Sequence, residues 1–229
     1  MRITVPHYFD FGAERELVGG DLVRPEAWDA IRTESSGPFG LPPTRERWER
    51  MVDGDEAIAE RARRIDAILA ERDARSLASY GVGVAMVELW LKRMRPQRPL
   101  AVGEYAPATV GRLRDLFAEA EVHQHDLLAD PPLPGDWHLF HRIDTEFDNR
   151  QWHQVLERFR DRPILVVAGE MIDWRRALTE LGVRLRNRRA TRAGLVRNGA
   201  AFEALWRHCH DPVPVEVHDL HGWVLTPRA

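Results

Sequence analysis

The chain has 229 residues, a formal net charge of −3 and a single cysteine, Cys209. That length can bury a sizeable core in one domain, or one domain with an appendage. The charge gives no global attraction for nucleic acid, and one cysteine excludes an intrachain disulfide. No apolar stretch is long enough to cross a bilayer. The opening Met1-Arg2-Ile3-Thr4-Val5-Pro6 lacks a long apolar segment, so no signal peptide is expected and a cytoplasmic protein is the default. Lys92 is the only lysine. Arginine-rich stretches therefore read first as the coding bias of a GC-rich genome and are discounted as functional signals.

Residues 1–73 differ from the rest. They are charged, hold the turn-prone stretch Ser35 to Pro43, and show no convincing strand. Helices are expected at Pro25 to Thr33, where proline suits the first turn, from Thr44 to about Val52, and from Asp55 to about Arg72. In the last of these Ile58, Ala62, Ile65 and Leu69 form an apolar stripe that must dock on something.

From residue 74 strands and helices alternate. A strand at 75–80 leads to a helix at 84–95, with Val84, Val87, Leu91 and Met94 on one face. A strand at 99–103 precedes a helix at about 107–119. A short strand from Glu121 ends at Asp126, and another spans Trp137 to His141. Asp148 and Gln151 form a capping box for the next helix, whose buried face is Trp152, Val155, Leu156 and Phe159. Pro163 to Ala168 has the continuous apolar run of a central parallel strand. A helix at 173–181 is expected to stop at Gly182. Val183 to Val196 reads as strand and loop, Ala200 to Cys209 as helix, and Val213 to Leu225 as a last strand. The fold class is α/β, a doubly wound, mainly parallel sheet.

The first strand closes on the glycine turn Gly81-Val82-Gly83, and the second ends on Glu104. Strand, glycine turn, helix, strand and acid is how a βαβ unit holds a nucleoside-bearing cofactor. The turn admits the ligand to the backbone, and the acid accepts hydrogen bonds from ribose hydroxyls.

With these residues the chain resembles the class I S-adenosylmethionine-dependent methyltransferase family over about residues 74–229. The resemblance implies a seven-stranded sheet with an antiparallel last strand, residues 1–73 forming an N-terminal helical lid, and S-adenosylmethionine as cofactor. It implies that the backbone of Tyr80, Gly81 and Gly83 passes under the methionine part. Glu104 matches the acid that holds the ribose, with Tyr105 beside it. Asp126 matches the acid that contacts the adenine amino group, with Leu127 beside the ring. Phe140 to Arg142 matches the segment bordering cofactor and substrate, which places His141 there. Two departures stand out: Ser79 occupies the place of the family's acid before the first glycine, and Ala85 that of its third glycine.

The segment His141 to Asp148 is where substrate chemistry would sit. Asp144, Glu146 or His141 could act as general base for a hydroxyl or amine; the plain alternative is a polar loop leading to a helix cap. No metal is expected. Asp144 and Glu170 lack a second acidic pair, and His208-Cys209-His210 lacks zinc spacing with a second thiol. His123 and His125 share one side of a strand but read as edge residues. Arg184, Arg186, Arg188, Arg189, Arg192 and Arg197 read as a solvated strand face, because no aromatic residues are interleaved.

The function expected is methyl transfer to an O or N atom of a small molecule, with no nucleic acid or membrane partner and with a homodimer as the oligomeric option. One alternative is a methyltransferase fold repurposed as a binding protein. The other is a nicotinamide-dependent oxidoreductase, disfavoured because Met86 fills the third glycine's place in GxGxxG.

Overall fold

The computed structural model describes residues 1–9, 25–34, 40–186 and 190–228. Its central sheet is seven-stranded. The strands are β2 (Leu77–Tyr80), β3 (Leu100–Glu104), β4 (Val122–Gln124), β5 (Trp137–His141), β6 (Ile164–Val167), β8 (His210–Val217) and β9 (Leu220–Pro227). Their order is β4-β3-β2-β5-β6-β9-β8. The first five run parallel, and β9 joins β6 antiparallel. Parallel neighbours need crossovers, and the helices supply them on both faces.

One face is covered by α2 (Arg45–Asp53), α3 (Glu56–Ala70), α4 (Met86–Met94) and α5 (Pro107–Leu113). Trp48, Ile65, Leu69, Val87, Leu91 and Leu113 are buried there with Leu139 and Leu165 of the sheet. The other face carries α6 (Asn149–Arg158) and α8 (Gly199–Trp206), which bury Trp152, Leu156, Phe202 and Trp206 against Tyr80, Phe140 and Val166. The apolar stripe of α3 thus finds its partner in the sheet. Residues 45–70 form part of a core layer, whereas α1 (Pro25–Glu34) and residues 4–9 lie outside it among the described residues of the expected N-terminal lid.

Helix starts follow the side chains expected of them. Thr44 and Asp55 cap α2 and α3 by accepting the N–H groups of Arg47 and Ile58, and Asp148 and Gln151 cap α6 reciprocally. Three expectations are corrected. Thr4–Phe9 is a strand, β1, paired antiparallel with β7 (Thr191–Arg197); Pro6 suits β1, which has no second strand neighbour among the described residues. Gly182 does not end its helix, since α7 (Trp174–Arg186) continues past it. The last strand is a hairpin, β8 and β9, turning at His218, whose φ is 54°. Of the arginine stretch, only Arg192 and Arg197 have described side chains.

Candidate functional site: the cleft at the strand ends

At β2 the direction of winding reverses, with β3 on one side and β5 on the other. The crevice beyond the carboxyl ends of such strands is where open α/β sheets bind ligands. The chain there turns through Gly81 and Gly83, with φ of 62° and 53°. These left-handed values favour glycine, and at Gly81 space demands it too, whereas at Gly83 a Cβ would meet the movable end of Arg32. A Cβ on Gly81 would stand 2.5 Å from Ile143 Cγ2, and one on Gly83 2.5 Å from Arg32 Nη2.

Glu104 holds the turn. Its Oε2 accepts the Gly83 N–H at 2.8 Å, and its Oε1 accepts those of Tyr105 and Ala106 at 2.8 and 3.1 Å. A carboxylate offers roughly four lone-pair sites, so Glu104 keeps spare acceptor capacity. Tyr105 is a large, exposed side chain beside it. Asp126 opens a turn at the end of β4; its Oδ1 accepts the Leu128 N–H at 2.8 Å. A glycine cradle and an acid with spare acceptor capacity fit a ribose-bearing cofactor.

Two of the residues expected to border a cofactor carry buried side chains. The Tyr80 side chain lies in the core: its hydroxyl meets His138 Nδ1 at 3.0 Å and accepts the Leu133 N–H at 2.9 Å. Only its backbone can border the cleft, because alternate side chains of a strand take opposite faces. Leu127 is buried in the same cluster.

Position 79 meets an acid of another element. Ser79 donates to Glu88 Oε1 of α4 at 2.7 Å, and both are buried. Burial raises the Glu88 carboxyl to about 7, and the charge of Glu104 adds to this. Glu88 stands four residues from Val84, on the apolar face of α4, which is the one sequence signal it leaves.

After β5 the three candidate bases separate. His141 shares the strand face of Leu139, toward α3. Burial and then the charges of Arg142 and Arg61 lower it to about 3, and its Nε2 is buried without a partner. Such an imidazole is too weak a base near neutrality. Asp144 is buried, and its two oxygens accept the N–H groups of Gly169 and Glu170 at 2.7 and 3.2 Å. It braces the loop after β5 against the loop after β6.

Glu146 is different. Its side chain reaches solvent, yet the protein around it, followed by the charges of Asp144 and Glu104, raises its carboxyl to about 7. From α1, Trp28 hydrogen-bonds this carboxyl. Arg32 lies 5.7 Å from the Trp28 ring, in the field of both Glu104 and Glu146. Burial lowers the Arg32 guanidinium while those two acids oppose the shift. Asp29 docks α1 by accepting the Ala108 N–H of α5 at 3.0 Å.

The loop is also held from outside. Leu195 of β7 donates to the Thr145 carbonyl at 2.9 Å. Arg197, fully buried, donates to the carbonyls of Asp144 and Phe147 at 2.9 and 2.7 Å and to Asn149 Oδ1 at 3.0 and 3.1 Å. This corrects the reading of Arg197 as part of a solvated face. Its long-range carbonyl partners have no signature in sequence.

No protein-family model matches the chain, and no curated protein matches it. Solved structures share its fold. The mitomycin 7-O-methyltransferase MmcR aligns with a TM-score of 0.59 at 15% identity, over 97% of this chain and 80% of that one. A putative O-methyltransferase from Nostoc punctiforme aligns with a TM-score of 0.58 at 13% identity, over 86% and 66%. Human N-acetylserotonin methyltransferase in complex with SAM aligns with a TM-score of 0.54 at 18% identity, over 68% of this chain and 48% of that one. The chain thus spans about half the length of the human enzyme. At these identities the likeness establishes the fold: a Rossmann-like α/β sheet of the kind found in S-adenosylmethionine-dependent O-methyltransferases.

Proposed function

We propose that the cleft binds S-adenosylmethionine and that the protein transfers its methyl group to an oxygen, or a nitrogen, of a small acceptor. The observation behind this reading is the glycine turn held by Glu104, with Arg32 against Gly83 and in the field of both Glu104 and Glu146. In it Gly81 and Gly83 admit the cofactor to the backbone, Glu104 receives a ribose hydroxyl, and Asp126 receives the adenine amino group. The bound cofactor supplies an electrophilic sulfonium methyl. The chain's part is to position the acceptor and remove its proton. Glu146 suits that role, since a carboxylate near 7 is a far better base than an ordinary one and is largely ionised just above neutrality. A cytoplasmic location and a homodimer complete the reading.

The test is turnover. The protein is incubated with S-adenosylmethionine and a panel of hydroxyl and amine acceptors, and S-adenosylhomocysteine and methylated product are followed by mass spectrometry. Expected is product with at least one acceptor class, lost in Glu146→Gln. A second reading, a repurposed binding module, draws on the three backbone bonds already made by Glu104 and on Arg32 lying against Gly83. Cofactor binding with no turnover across the panel would favour it.

A further inference from the structure

At the end of α6 remote from the cleft, two distant segments bring metal-binding side chains together. His153 and Glu157 stand one turn apart on α6, so they share a face. His208 and Cys209 lie between α8 and β8. Glu157 Oε1 is 2.7 Å from His208 Nε2 and 3.5 Å from Cys209 Sγ. The three ligand atoms lie within 4.8 Å of one another, and among the described residues no other such group of three occurs. The His153 and His208 rings meet edge to face at 4.7 Å, and His153 Nδ1 is buried without a hydrogen-bond partner. A buried polar nitrogen left unpaired calls for an explanation.

We propose that Glu157, His208 and Cys209 form a binding site for zinc or a similar transition metal, with His153 beside the fourth position. A thiol, an imidazole and a carboxylate make up a zinc-type donor set. Calcium and magnesium prefer oxygen ligands alone. On binding, Cys209 loses its thiol proton to solvent. The Glu157–His208 contact is exchanged for one bond from each to the metal. The ion then ties α6 to the junction of α8 and β8, a clip formed by residues some fifty positions apart in sequence. That separation is why the His208-Cys209-His210 motif alone shows no zinc spacing.

The test uses the full chain without a histidine tag, titrated with cobalt(II) and then zinc. Expected is a thiolate-to-cobalt charge-transfer band in the near ultraviolet that saturates at one equivalent and is displaced by zinc. Cys209→Ser should abolish the band. His208→Gln, at an exposed position, should weaken binding by at least ~10-fold. Zinc should raise the melting temperature of the wild type but not of His208→Gln. Absence of the band, its persistence in Cys209→Ser, or unchanged affinity in His208→Gln would overturn the proposal. Should Cys209→Ser fail to fold, His208→Gln and Glu157→Gln decide. None of these outcomes depends on methyl transfer.

Discussion

The two halves of the cleft are built by different means. The turn after β2 and the acid at the end of β3 are neighbours along one βαβ unit, and Glu104 itself ties them together through the Gly83 N–H. The loop after β5 draws much of its support from other elements. Its shape comes from Arg197 and Leu195 of β7, from Gly169 beyond β6, and from Trp28 and Arg32 of α1. The difference teaches where tolerance lies. The first half should feel a mutation locally, whereas the second should feel changes made far from it.

The largest expected effect is on chemistry. Glu146→Gln keeps the shape of the side chain but removes the base, so kcat should fall on the order of 10²–10⁴-fold while affinity for S-adenosylhomocysteine holds. A base acts when deprotonated, so the wild-type kcat should rise with pH through about 7 and then level, and the variant should lack that step. A fall in cofactor affinity in place of kcat would move Glu146 into the other half of the cleft.

Arg197→Met should act on stability. It strands the buried carbonyl of Asp144 and the part-buried one of Phe147, and hydrogen bonds to a charged donor contribute about 1.5–3 kcal/mol each. A loss of about 3 kcal/mol is expected in urea unfolding. A loss under about 1 kcal/mol would show that the loop stands without its outside support. Next comes Glu104→Ala. It should weaken S-adenosylhomocysteine binding by roughly 10–100-fold, the equivalent of one such bond, with little change in the acceptor KM.

The smallest effect is a pH slope. Glu88 is raised to about 7 in the folded chain from an ordinary 4.5. Between those values the unfolded chain releases the proton and the folded one keeps it. Stability from this group is therefore present below about 4.5 and lost as pH rises through 7. Glu88→Gln should flatten that part of the stability curve in melts at successive pH values, and an unchanged slope would assign it to another group.

The same contrast explains what could be read from the sequence. Continuous apolar runs and capping residues announce β2 to β6 and their helices, because those signals are local. Gly81, Gly83 and Glu104 were legible through spacing along one unit. β1 was hidden, since Thr4–Phe9 contains Pro6 and finds its partner almost two hundred residues away. The split between β8 and β9 was hidden because His218 and Asp219 make the turn without a glycine. Telling the surroundings of His141, Asp144 and Glu146 apart needs the fold. Strand alternation turns His141 toward α3, the N–H groups of Gly169 and Glu170 occupy Asp144, and α1 crowds Glu146. Glu88 and Arg197 act through contacts between elements that a linear pattern does not record.

The central claim is that the glycine turn and Glu104 form a nucleoside site, and calorimetry with S-adenosylhomocysteine tests it most directly. Expected is one equivalent bound by the wild type and by Glu146→Gln, with binding weakened in Glu104→Ala. No heat of binding to the wild type at millimolar ligand, or equal affinity in Glu104→Ala, would contradict it.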